Sequence, residues 1–188
     1  MRFYGYAAVI VLMLSNCSPA AGDTFRFDSI ERGQRTVSLL AGYGENHKIP
    51  DSTKVRFGTN ELKLRYGRFT SPRTEVSYEF IGGKQTKDLD SYTVSALIGY
   101  RRYFAVRGKT ALSYDLGIGI IHFGDKIEGQ ATRNNFTEQA GFTLQHSVGQ
   151  ASAISLEYRF CHASNAGIKE PNVGINSSVI MAGYTWYK

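Results

Sequence analysis

The sequence predicts an all-β protein, an eight-stranded antiparallel transmembrane β-barrel, and three observations carry that prediction. Apolar and polar residues alternate with period two through many short segments. Successive strand side chains point to opposite faces, so each segment has one apolar and one polar face. The polar face repeatedly bears Glu, Lys, Arg and Asp, while the apolar face is rich in Leu, Ile and Tyr. A polar interior and an apolar exterior with aromatics near the strand ends is the pattern of a barrel in lipid. Finally, long polar connections alternate with tight turns, as in bacterial barrels with extracellular loops and short periplasmic turns. A soluble lipocalin-like barrel would share the alternation of faces; the alternation of loops favours the membrane barrel. An even number of strands closes the sheet without free edges, which lipid requires.

The segments follow in order. Residues 36–43 read as the first strand, and 45–54 as a polar loop. The second strand spans 55–69, with Leu62, Leu64 and Tyr66 set against Glu61, Lys63 and Arg65. A turn at Pro72 leads to the third, 75–81, with Val76, Tyr78 and Phe80 on one face. Residues 82–90 read as a polar loop. The fourth strand covers 92–104, with Val94, Ala96, Ile98 and Tyr100 together, and the fifth covers 112–123. Another polar loop, 124–135, precedes the sixth strand, 138–148, where Ala140, Phe142, Leu144 and His146 share a face. The seventh runs over 152–164, with Ile154, Leu156, Tyr158 and Phe160 on one face; after a loop, the eighth runs over 176–187.

A chain of 188 residues suffices for one domain. Residues 1–22 read as a signal peptide: Arg2, an apolar run from Ala7 to Leu14, then the small residues Ser18, Ala20, Ala21 and Gly22. The run is short of the roughly 20 apolar residues that a spanning helix needs. Asn16 is too bulky for lipoprotein processing at Cys17. The barrel domain is then 23–188, in the bacterial cell outer membrane. The formal charge of +6 comes from scattered Lys and Arg, without the run that marks a nucleic-acid surface, so no nucleic-acid partner is expected. Without Cys17, Cys161 has no partner for an internal disulfide and reads as a small residue on the inward face. An eight-stranded interior is narrow and filled by side chains. Charges such as Glu61, Lys63, Arg65, Glu75, Glu79, Glu157 and Arg159 therefore pair across it rather than line a solute pore. The chain ends in Lys188 after Trp186 and Tyr187, where outer-membrane barrels usually end in an aromatic residue.

The stretch Arg159-Phe160-Cys161-His162-Ala163-Ser164-Asn165-Ala166-Gly167 departs from plain strand chemistry. His162 and Ser164 continue the apolar, outward parity of the seventh strand, at the height of the outer-leaflet rim. Polar groups facing lipid are expensive and are usually functional. A hydroxyl beside an imidazole is the usual nucleophile of acyl transfer. Asn165 and Gly167 offer an amide and a backbone N–H suited to an oxyanion. Asn176 opens the adjacent strand with the parity of Ile180 and Trp186, and reaches the same outer face.

At these residues the sequence resembles the outer-membrane lipid A 3-O-deacylases of the PagL type. The likeness is strongest in His162-Ala163-Ser164-Asn165-Ala166-Gly167 and in Pro171-Asn172-Val173-Gly174, and the barrel pattern over 34–187 supports it. The resemblance implies an esterase that removes the ester-linked 3-O acyl chain of lipid A in lipopolysaccharide, with an exterior Ser-His-Glu triad. By match, His162 is the base, Ser164 the nucleophile, and Asn165 with the Gly167 backbone the oxyanion hole; no metal or organic cofactor is implied. The third triad position holds Asn176 instead of a glutamate. An amide oxygen accepts a hydrogen bond but carries no charge, and an acid-to-amide change there costs roughly 10⁴ in turnover in a serine protease. Glu170 in the following loop is the nearest alternative acid, although its plainest role is a solvated loop charge. The competing class is a non-catalytic small barrel, structural or host-contacting, that retains the motif. A homodimer is compatible with either class.

Overall fold

The computed structural model describes residues 24–48 and 52–188. The signal peptide expected over 1–22 lies outside the described residues. Eight strands, β1 (Arg35–Asn46), β2 (Phe57–Ser71), β3 (Thr74–Lys87), β4 (Tyr92–Arg107), β5 (Thr110–Phe123), β6 (Asn134–Gly149), β7 (Ser152–Ser164) and β8 (Ile175–Tyr187), close into one antiparallel barrel. Each pairs with its sequence neighbours, and β8 returns to pair with β1. Every wall strand is thus paired on both sides, as a bilayer demands.

Residues 72–73, 108–109 and 150–151 form the tight turns at one end. The other end carries the connections 47–56, 88–91, 124–133 and 165–174. The tight-turn end is the periplasmic one. The loop expected over 82–90 is mostly strand. Gly82 and Gly83 continue the ladder opposite Leu62 and Glu61 on one side and Val94 and Thr93 on the other. Glycine has low strand propensity, so the pairing of two neighbours, and not local preference, extends β3 to Lys87. The sixth strand likewise begins earlier than expected, at Asn134.

The side chains divide by parity. Leu62, Leu64, Tyr78, Phe80, Ile98, Ile118, Ile120, Phe142, Leu156 and Ile180 are exposed on the outer wall. Apolar surface this continuous marks contact with lipid. Toward the tight-turn end Phe104, Tyr114, Tyr184 and Trp186 add aromatic contacts, with Tyr184 and Trp186 ring centroids 4.9 Å apart. The lumen is filled. Lys63, Arg65, Arg101 and Arg159 interleave with Glu75, Glu79, Asp115 and Glu157, and none of these side chains is more than 4% exposed. Arg65 Nη2 lies 2.7 Å from Glu157, Arg65 Nε 2.9 Å from Glu79, and Arg159 Nη1 2.8 Å from Glu79. The pairing expected across the lumen is present for Lys63, Arg65, Glu75, Glu79, Glu157 and Arg159, with Arg101 and Asp115 as further members, whereas Glu61 lies on the lumen side and makes no ion pair among the described residues.

The described residues cover both mouths. The polar-looking segment before β1 forms a short 3₁₀ turn, Phe27–Ser29, beneath the barrel. Phe25, Phe27 and Ile30 pack there with Phe69, Tyr103 and Tyr187, and Phe25 stacks on Tyr187 at 4.2 Å. Phe25 and Phe27 donate their backbone N–H groups to the carbonyls of Gly149 and Gly108, in the turns. At the opposite end Phe57, Phe123, Ile127, Ala163 and Ile175 form an apolar cluster under the loops.

Glu157 touches all four lumen cations. Removing one partner of a buried ion network strands the others, at a cost of about 3–5 kcal/mol. Glu157→Ala is therefore expected to lower the urea midpoint for unfolding of the barrel from lipid vesicles by a corresponding amount. An unchanged midpoint would show that the network contributes nothing net.

Candidate active site

β7 ends in His162, Ala163 and Ser164, and His162 and Ser164 extend the outward row of Leu156, Tyr158 and Phe160. Asn176, second residue of β8, lies directly across the ladder from His162. On the other flank Glu138 of β6 lies across from His162, and Phe136 across from Ser164. Residues directly opposite on one face have Cβ atoms about 4.5–5.5 Å apart. Register thus gathers Glu138, His162 and Asn176 into one polar row over three strands, near the loop-bearing end.

His162 Nδ1 lies 2.8 Å from Asn176 Oδ1. An amide oxygen only accepts, so Nδ1–H donates and Nε2 keeps its lone pair. That is the tautomer a general base requires. Asn176 is itself held in place: its side chain is buried, and its carbonyl accepts the His47 N–H at 2.7 Å. On another edge of the ring sits Gly174, where an added Cβ would come within 2.6 Å of His162 Cε1. Only glycine lets the loop approach the imidazole this closely.

Ser164 is half-buried at the strand end. Beyond it the chain turns through Ala166 and Gly167, with φ of 54° and 73°, in the left-handed region. Asn165 is buried beneath this turn. Its Nδ2 donates to the Lys169 carbonyl at 2.7 Å, and its backbone N–H donates to Asn172 Oδ1 at 3.0 Å. The side chain therefore braces the loop with one amide hydrogen and has a second to give. Glu170 accepts the Asn172 N–H at 2.9 Å, so it is folded into its own loop and not onto the imidazole. The loop is zipped to its neighbour 124–133: the Val173 N–H donates to Gly129 at 2.9 Å, and the Ala131 N–H to Pro171 at 2.8 Å. Thr53 joins both, through the Glu128 and Gly174 carbonyls. Cys161 faces the other side of the wall, against Leu40, Val179 and Met181.

Two further features stand on this wall. Glu138 was legible, since it shares the parity of Ala140 and Phe142. The second feature was not. His47, from the loop after β1, places Nε2 2.7 Å from Ser178 Oγ, which also lies 2.9 Å from the Tyr158 hydroxyl. The His47 ring lies parallel to that of Phe160, with centroids 6.3 Å apart. Only barrel closure between β8 and β1 brings residues so distant in sequence together.

A family model described as Lipid A 3-O-deacylase (PagL) matches residues 54–185. No curated protein matches the chain. Among solved structures, the outer membrane enzyme PagL is 22% identical, with 80% of this chain and 98% of that one covered and a TM-score of 0.52. Neisserial surface protein A is 12% identical, over 82% and 99% of the two chains, with a TM-score of 0.62. The outer membrane protein OprG from Pseudomonas aeruginosa is 10% identical, over 86% and 98%, with a TM-score of 0.55. At these identities the structures speak to the fold, a small barrel of the outer-membrane type. The family match covers well over half of the chain and takes in His162, Ser164 and Asn176, and the chain accordingly belongs to the lipid A 3-O-deacylase (PagL) family of outer-membrane barrels.

Proposed function

We propose that this barrel is itself a lipid A 3-O-deacylase, a serine esterase acting on lipopolysaccharide in the outer leaflet. The observation that carries the reading is the His162–Asn176 hydrogen bond, made on the lipid-facing wall two residues from Ser164. Ser164 Oγ attacks the carbonyl carbon of the ester at the 3 position while His162 Nε2 takes its proton. The carbonyl oxygen becomes an oxyanion, held by the Gly167 N–H and the second amide hydrogen of Asn165. Collapse breaks the ester bond, and the imidazolium returns the proton to the leaving sugar hydroxyl. Water, deprotonated by the same imidazole, then releases the fatty acid and restores Ser164. Asn176 keeps the ring in the required tautomer throughout. No metal or organic cofactor enters this scheme.

A second hydroxyl–imidazole pair, Ser178 with His47, stands on the same wall. It is the weaker candidate. Ser178 lies within a strand paired on both sides, so the backbone N–H groups around it are spent on the ladder and none is left for an oxyanion.

Mass spectrometry of lipid A from cells expressing each protein separates the readings. The wild type is expected to remove one 3-hydroxyacyl chain, Ser164→Ala to remove none, and Ser178→Ala to remain active. No mass change with the wild type, correctly assembled in the outer membrane, would instead identify a non-catalytic barrel that retains the motif. Gly174→Ala probes the ring position. The methyl group pushes His162 from its place, and misplacement of a catalytic group by the order of 1 Å costs about 10²-fold in rate. Deacylation is expected to fall by about that factor while the barrel still folds; an undiminished rate would show that the Gly174 contact does not set the imidazole geometry.

A further inference from the structure

The acid of a serine triad does two things: it orients the imidazole, and its charge stabilises the imidazolium formed as the nucleophile attacks. Asn176 does the first and, being neutral, contributes nothing to the second. The opposite flank of His162 supplies what is missing. Glu138 is the residue directly across from His162 on β6. It is exposed on the outer wall, where its other cross-strand partner is Ile118, itself 63% exposed. Its neighbours along the row on β6 are Phe136 and Ala140. No hydrogen bond or ion pair among the described residues engages its carboxylate. A bare carboxylate in an apolar, lipid-facing belt is costly and marks a functional position.

We infer that Glu138 is the charged partner of this site: the role of the triad acid is divided, with Asn176 orienting the His162 ring from β8 and Glu138 stabilising its charged form from β6. Glu138 is a positioning residue, acting on substrate only through the imidazole. The inference rests on the deacylase reading above. It explains how an amide at position 176 serves, since the charge that the amide lacks sits one strand away on the other side. Other charged groups around the ring are differently committed. Glu170 is bound to the Asn172 backbone, His47 is bound to Ser178, Arg159 is paired in the lumen, and Glu61 lies on the lumen side of the wall. Lys169 is exposed in the loop above.

The test measures kcat and KM of lipid A deacylation for the purified barrel in lipopolysaccharide-containing vesicles. A carboxylate beside the imidazole stabilises the positive charge that forms as the nucleophile attacks. Glu138→Gln therefore removes a charge that stabilises the transition state. It is expected to lower kcat by about tenfold or more with KM little changed. Glu138→Asp is expected to keep kcat close to wild type. Asn176→Glu in the Glu138→Gln background, which puts the charge on the other flank, is expected to restore kcat. A Glu138→Gln barrel with wild-type kcat would overturn the inference while leaving the deacylase reading intact. A wild type as inactive as Ser164→Ala would overturn both.

Discussion

In lipid, no backbone N–H or C=O is left to water, so the wall must close on itself, and everything else in this molecule follows from that closure. Once β8 pairs with β1, parity is absolute: each side chain belongs either to the lumen or to the lipid. The lumen is too narrow for water to solvate eight charges, so they solvate each other. Two arginines and a lysine converge on Glu79, and Glu157 touches all four cations. The outer wall meets the opposite demand, and its polar residues stand out against Ile118, Phe142 and Leu156.

The same closure assembles the polar row at the loop end. Glu138, His162 and Asn176 come from three strands, and only register brings them abreast. A slip of one residue between β6 and β7 would turn His162 toward the lumen and Cys161 toward the lipid. The wall around the row is therefore part of its geometry. The roof contributes as well: Gly174 touches the ring because 165–174 is bonded to 124–133, and because Thr53 ties in a third connection.

Much of this was legible in the sequence, for a physical reason. A strand with one face in lipid and one in a charged lumen has to alternate, and it does so clearly from Leu62 to Tyr66 and from Ile154 to Phe160. The His162, Ser164 and Asn176 positions could be placed on one face by counting in twos. What could not be counted was what depends on closure or on contact at the ends. Gly82 and Gly83 look like loop residues and are strand because two neighbours hold them. Phe25 and Phe27 sit in a stretch without periodicity, since a plug obeys the shape of the mouth and not a repeat. The approach of His47 to Ser178 joins opposite ends of the chain. Glu138 was visible by parity, yet its meaning depended on knowing that His162 was its partner.

The polar row stands on the convex outer wall, above a lumen plugged at one end by aromatic rings and roofed at the other. The described residues of the lumen, packed with paired charges, offer no route to it through the barrel. Whatever binds there is delivered sideways, by diffusion within the leaflet, and the search takes place in two dimensions. Occupancy of such a site follows the mole fraction of its ligand among neighbouring lipids, not a concentration in water, so a change in the composition of the leaflet acts on this protein as directly as a change in dose.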